Sequence, residues 1–139
     1  MEYRVFGDKI VARIDKGEEI IESIKKICIK EKTALGKVSA LGAVNRAKIG
    51  LFETGIKKYH SAELSGDFEI TSLSGTITEM DGEPYLHIHI NLAGADHKTF
   101  GGHLNEAYVS ATCELVIDVI NGRVGRKFSK EIGLNLMEF

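Results

Sequence analysis

The stretch that most constrains the fold is Tyr85–Leu92, because apolar and polar side chains alternate along it. In a β-strand successive side chains point to opposite faces, so this alternation predicts a strand with one buried face and one polar face. The predicted buried face carries Leu86, Ile88, Ile90 and Leu92, and the polar face carries His87, His89 and Asn91. The two imidazoles would then lie side by side, about 7 Å apart along the strand.

A third histidine follows closely in the sequence. The segment Ala93–Leu104 contains several glycines and is predicted to be a loop, with Gly101-Gly102 as a turn that lets the backbone approach closely just before His103. Four of the five histidines lie between positions 87 and 103, and His87, His89 and His103 are three of them. Neutral imidazoles on one face can bind zinc, and a third ligand from a distant loop would complete the site. Their spacing alone equally allows three separate, solvated histidines.

Three other polar residues are candidates for a second shell or a surrounding pocket. Asn91 shares the predicted strand face with the first two histidines, and Asn105 closely follows His103. Glu114 lies within the predicted apolar strand Ala107–Ile120. It is either an outward-facing carboxylate or a general base near the histidines. His60 and His97 have no supporting spacing and are predicted to be surface residues.

Length and charge limit the classes of function. A chain of 139 residues is predicted to form a single domain, residues 1–139. The net charge of −2 argues against a general binder of polyanions. One basic cluster, predicted to be solvated surface, contains Arg123, Arg126, Lys127 and Lys130. DNA is therefore expected to bind weakly if at all.

Cysteine usage and hydropathy indicate a compartment. Cys28 and Cys113 form no CxxC pair, and both are predicted to be buried, chemically inert residues in a reducing environment. No apolar run is long enough to span a bilayer, so no membrane partner is expected. The cytoplasm is the predicted location.

The remaining pattern predicts one helix among seven or eight strands. Apolar residues recur at helical spacing between Glu18 and about Lys32, with acidic residues near the start and lysines near the end. From Gly36 onward short apolar runs are interrupted by glycine or by Asn45-Arg46, and Asp81-Gly82 predicts a tight hairpin. The predicted class is α+β, with a mixed or antiparallel sheet and one main helix packed on it.

Several ordered motifs resemble a known family. Gly66–Gly75 reads GDFEITSLSG, which is similar to the characteristic motif of the PPC domain, the plants-and-prokaryotes conserved domain. The strand around His87 and His89, the glycine pair before His103 and the apolar strand containing Cys113-Glu114 look like the prokaryotic form. The resemblance covers essentially the whole chain.

The resemblance implies a compact fold that assembles as a homotrimer. It also implies that His87, His89 and His103 are metal ligands, with Zn²⁺ as the metal. In plants the domain follows AT-hooks in nuclear DNA-binding proteins, but this chain has no Arg-Gly-Arg-Pro motif. The element that contacts DNA in the plant proteins is therefore missing.

Three functions follow from these observations. The preferred one is a metal-binding homotrimer of the PPC family whose biological role is open. The second is a DNA-binding or nucleoid-associated module that uses a basic surface of the oligomer. The third is a zinc-dependent hydrolase or lyase in which the metal lowers the pKa of a bound water.

Overall fold

Long antiparallel strands dominate the computed structural model, which describes all of residues 1–139. The strands are β1 (Glu2–Phe6), β2 (Lys9–Asp15), β3 (Gly36–Glu53), β4 (Lys58–Met80), β5 (Glu83–Ala93), β6 (Thr99–Val119), β7 (Gly125–Ser129) and β8 (Leu134–Glu138). One helix, α1 (Ile20–Glu31), connects β2 to β3. The first six strands form one sheet, and β7 and β8 form a separate hairpin.

The main sheet closes on itself at one end. Its strand order is β1-β2-β6-β3-β4-β5, and β5 also pairs with the start of β6. Strands β3, β4, β5 and β6 therefore form a closed ring, in which every pairing is antiparallel. The predicted hairpin between β4 and β5 is confirmed, with Asp81 and Gly82 both at positive φ (55° and 81°). Two successive residues at positive φ are characteristic of the tight turns that suit the twist of paired strands.

Helix α1 is held at its start by one carboxylate. Glu19 accepts hydrogen bonds from the backbone amides of Ile21 (3.1 Å) and Glu22 (2.6 Å), which have no partners within the helix. The same carboxylate accepts one from the Ala107 amide at 2.8 Å, which joins the helix to β6. No helical segment has the length and apolar character needed to cross a membrane.

The core joins the helix to one face of the sheet. The apolar stripe predicted for α1 is buried, and it belongs to a cluster of 23 buried residues that includes inward-facing positions of β2 to β6. Ile88, Ile90 and Leu92 of β5 are among them, which confirms the predicted buried face of that strand. Cys28 and Cys113 are also buried and unpaired, as predicted.

The predicted α+β class, with a mixed or antiparallel sheet and one main helix packed on it, is wrong. The chain is β-rich: 69% of it is strand and 9% is helix, in one short segment. The glycines and Asn45-Arg46 that were expected to end strands instead lie within β3 and β4, which run for 18 and 23 residues. The pairing of β3 with β4 shifts its register after Ala40 and again after Val44, and it resumes beyond each shift. These irregularities let the strands continue where the sequence pattern is broken.

Candidate metal centre

The three predicted histidines lie together on one face of two paired strands. His89 of β5 is directly opposite His103 of β6, and His87 is on the same face of β5. The ring centroids are 5.2 to 5.7 Å apart in all three pairs. The prediction that His103 lies in a loop turn is wrong, because β6 begins at Thr99 and Gly101-Gly102 belongs to the strand. Pairing across the sheet, and not a turn, brings the third imidazole to the other two.

Two glycines make this close pairing sterically feasible. A Cβ atom at Gly101 would lie 2.2 Å from the Ile90 carbonyl oxygen, and one at Gly102 would lie 2.6 Å from the Gly50 carbonyl oxygen. Both contacts are with backbone atoms, which cannot move aside without separating the strands. Glycine is therefore needed here for close approach of the backbone, and neither residue adopts a left-handed conformation.

The imidazole nitrogens are close enough to share one ion. One ring nitrogen from each histidine lies within 4.8 Å of the corresponding atoms of the other two. The Nε2 atoms of His87 and His89 are 3.3 Å apart. Tetrahedral zinc with ligand distances of about 2.0–2.1 Å separates its nitrogen ligands by about 3.3 Å. The donor set and its spacing therefore fit a zinc ion.

Burial and neighbouring charges lower the pKa of two of these imidazoles. The pKa of His87 is lowered first by burial and then by the charges of His89 and Arg126. The pKa of His103 is lowered by burial and by repulsion from His87 and His89. Only a neutral imidazole has a free lone pair for a metal, so both effects favour the ligand-competent form.

The histidines form one wall of a cavity of roughly 570 Å³. The C-terminal hairpin β7–β8, the end of β3, Tyr59 of β4 and Tyr85 of β5 form the rest. The other side chains that line it are mainly apolar or aromatic: Leu51, Phe52, Tyr59, Tyr85, Leu134, Leu136, Asn135 and Arg126. No acidic side chain lines the cavity.

Tyr59 packs beside the histidines because β3 has no side chain at Gly50. A Cβ atom there would lie 2.0 Å from the Tyr59 hydroxyl. The Tyr59 hydroxyl donates a hydrogen bond of 2.7 Å to Asn105 Oδ1, and the Tyr59 ring meets the His103 ring edge-on at 6.3 Å. Asn105 therefore does not line the cavity itself, but it holds the hydroxyl of Tyr59, which does.

Arg126 is a cavity residue that sequence reasoning missed. Its guanidinium donates hydrogen bonds to Thr78 Oγ1 (3.0 Å), the Asn135 carbonyl (3.1 Å) and Thr76 Oγ1 (3.4 Å). Thr76 pairs with His87 across β4 and β5, which fixes the cation near the imidazoles. In the sequence, Arg126 is only one basic residue within a basic cluster. No local sequence pattern predicts that β7 folds back onto β4.

The remaining predicted residues lie at or beyond the margin of the site. Asn91 donates a hydrogen bond to Ser72 Oγ at 3.1 Å and lies next to Gly101, outside the cavity lining. Glu114 is opposite Arg13 of β2, away from the histidine cavity. His60 contacts the Glu53 carboxylate at 2.8 Å on exposed parts of β4 and β3. His97 lies in the β5–β6 connection at φ 59°.

Solved structures share this fold over nearly the whole chain. A "putative DNA binding protein" from Bacteroides thetaiotaomicron is 27% identical, with a TM-score of 0.97, over 99% of this chain and 96% of that one. A metal-containing protein from Archaeoglobus fulgidus is 33% identical (TM-score 0.88, 99% and 97% covered). A plant- and prokaryote-conserved protein from Pyrococcus horikoshii is 32% identical (TM-score 0.87, 99% and 95% covered).

The family is established by sequence as well as by fold. No protein among the curated ones matches the chain. The model of the Plants and Prokaryotes Conserved domain, abbreviated PCC or PPC, matches residues 1–121. The resemblance noted in the sequence is thereby confirmed, and the chain belongs to the Plants and Prokaryotes Conserved domain family.

Proposed function

We propose that the protein binds one zinc ion per chain through His87, His89 and His103. The observation that carries this proposal is the cluster of three imidazole nitrogens within 4.8 Å of one another. Burial and neighbouring charges lower the pKa of His87 and His103, which favours their neutral, metal-binding form. A relative that is 33% identical is described as metal-containing, which supports a metal in this chain as well.

The donor set favours zinc over harder cations. Magnesium and calcium prefer oxygen ligands, and no carboxylate lines the cavity. Three imidazoles without an acidic ligand are a known zinc set, which leaves one position for water or an acidic ligand. At that position a bound zinc would supply a Lewis acid or an activated water.

Elemental analysis tests the metal directly. The protein should be purified without an affinity tag and without added metal, and its zinc content measured by mass spectrometry. About one zinc per chain is expected. A zinc content near zero, together with no uptake after dialysis against zinc, would reject the proposal.

We further propose that the chain assembles as a homotrimer. Val11 (46% exposed) and Leu41 (58% exposed) lie on the outer face of the main sheet, together with half-buried Val116. Val11 is directly opposite Val116 across β2 and β6. Contact with another subunit would bury this apolar strip, and closed cyclic symmetry is the usual arrangement. The number three comes from the family resemblance.

DNA binding is the second candidate, because the solved neighbour from Bacteroides thetaiotaomicron is described as a "putative DNA binding protein". Two features of this chain oppose it. The net charge is −2, and several basic residues already pair with acidic ones, as Arg123 does with Glu79 at 2.7 Å.

The third candidate is a zinc-dependent hydrolase or lyase. Glu114 lies away from the cavity and cannot serve there as a general base. A cytoplasmic location is proposed from the two free, buried cysteines.

A further inference from the structure

The cavity above the histidines has the size and lining of a small-molecule site. Its volume of roughly 570 Å³ falls within the usual range for ligand pockets. Phe52, Tyr59, Tyr85 and Leu136 contribute apolar and aromatic surface on several sides. A bare metal-binding surface would need none of this enclosure. The walls therefore indicate a ligand with an apolar body beside the metal position.

Arg126 places a fixed positive charge in the same cavity. Three hydrogen bonds hold its guanidinium, and the group lies 4.7 Å from the centroid of the Tyr85 ring. A guanidinium has five N–H donors, so one donor on each Nη remains after these three bonds. No carboxylate lies within 4.0 Å of Arg126, whereas Arg13 has two such partners and Arg123 has one. A half-buried, immobilised cation without a counterion favours an anionic ligand.

The charge of the complete site strengthens this preference. Three neutral imidazoles would leave a bound zinc with its full charge of about 2+. No acidic side chain lines the cavity to offset that charge or that of Arg126. The polar side of the cavity therefore favours an anionic group, and its walls favour an apolar group.

We propose that the cavity binds a small organic carboxylate with an apolar or aromatic body. The carboxylate would pair with Arg126 and face the metal position, and the body would pack against Phe52, Tyr59 and Leu136. This inference rests on the proposed zinc function for the metal position, but its Arg126 contact can be tested apart from the metal.

Calorimetric titration with benzoate tests the proposal. Benzyl alcohol serves as the uncharged counterpart and inorganic phosphate as the anion without an apolar body. Zinc-loaded wild-type protein is expected to bind benzoate more tightly than either. Arg126→Gln should weaken benzoate binding by about tenfold or more while zinc content is unchanged. Arg123→Gln is the matched control, because Arg123 is paired with Glu79 on the surface, and it should bind benzoate like wild type.

Two further measurements keep the outcome unambiguous. If Arg126→Gln unfolds, Leu136→Glu is used instead. Leu136 is 42% exposed and lines the cavity, so a carboxylate there should repel benzoate at little cost to the fold. Metal-free protein titrated with benzoate and followed by NMR shifts of the Arg126 side chain reports the contact if zinc does not bind. Equal binding of benzyl alcohol or phosphate, or unchanged affinity in both variants, would overturn the proposal.

Discussion

Two histidines of the metal centre can be replaced without opening the core. His87 and His89 project from the face of β5 opposite Ile88 and Ile90, both of which are fully buried. The imidazoles therefore contribute few core contacts. Metal binding and folding can be separated by mutation at these positions.

His89→Ala should abolish zinc binding and leave the fold intact. The substitution removes one of three nitrogen ligands, and the free energy of unfolding of the metal-free protein should change by no more than about 0.5 kcal/mol because the side chain is exposed. Calorimetric zinc titration and circular dichroism measure the two effects. His60→Ala is the control, since His60 is exposed, lies outside the cavity and contacts Glu53. Equal zinc binding by wild type and His89→Ala would disprove the site.

The metal-free protein should lose stability when the pH falls below neutrality. In the folded chain the pKa values of His87 and His103 are lowered, while in the unfolded chain they are about 6.5. The unfolded state therefore binds more protons as the pH falls through 6.5, and the stability contribution disappears as the pH passes the folded-state values. Zinc binding should weaken in the same direction, because protons compete for the nitrogens.

Urea unfolding in the presence of a chelator measures this pH dependence. The midpoint should fall between about pH 7 and pH 5 more steeply for wild type than for the double variant His87→Asn, His103→Asn. The comparison removes the contribution of carboxylates, which both proteins share. Parallel curves would show that the two imidazoles do not contribute.

At the scale of elements, the site depends on how closely β6 approaches its neighbours. Gly101→Ala should lower the free energy of unfolding by about 1–3 kcal/mol and weaken zinc binding, because the new Cβ would meet the Ile90 carbonyl oxygen at 2.2 Å. Gly125→Ala is the control, since a Cβ there meets nothing within 4 Å. Thermal unfolding and zinc titration check both variants. Normal zinc affinity in Gly101→Ala would mean that this strand contact does not position His103.

Sequence patterns predicted single elements better than their connections. The alternation of Tyr85–Leu92 was enough to assign both faces of β5, because the side-chain period of a strand is local. The fold class failed because glycine and Asn45-Arg46 read as breaks, although neighbouring strands held the chain extended through them. His103 was assigned to a loop for the same reason, and Arg126 was missed because only tertiary folding brings β7 to β4.

For the whole molecule, the proposed homotrimer can be tested at the exposed apolar strip on the outer face of the sheet. Light scattering should give a mass about three times 15.3 kDa for wild type. Leu41→Asp should reduce the mass, because it places a charge in the strip. Ile29→Asp is the control, since Ile29 is exposed to a similar extent (54%) but lies on helix α1. A mass near 15.3 kDa that does not change with concentration would contradict the trimer.

Binding to duplex DNA should be weak and independent of sequence at physiological salt. With a net charge of −2 the chain can release few counterions from DNA, and this release drives most non-specific binding. Gel shifts at two salt concentrations with two unrelated duplexes measure affinity and selectivity. Tight, selective binding at the higher salt would make DNA binding the better account of function.

The closed ring of β3, β4, β5 and β6 also bears on aggregation. An open sheet has two edges whose unpaired amides and carbonyls can recruit strands from other molecules. Here the pairing of residues 89–93 of β5 with the start of β6 removes part of one of these edges, and β1 forms the other. That strand has five residues, including the charged Glu2 and Arg4. Short, charged edges are poor templates for strand addition, so the ring that assembles the histidines also protects a β-rich chain from fibrous self-association.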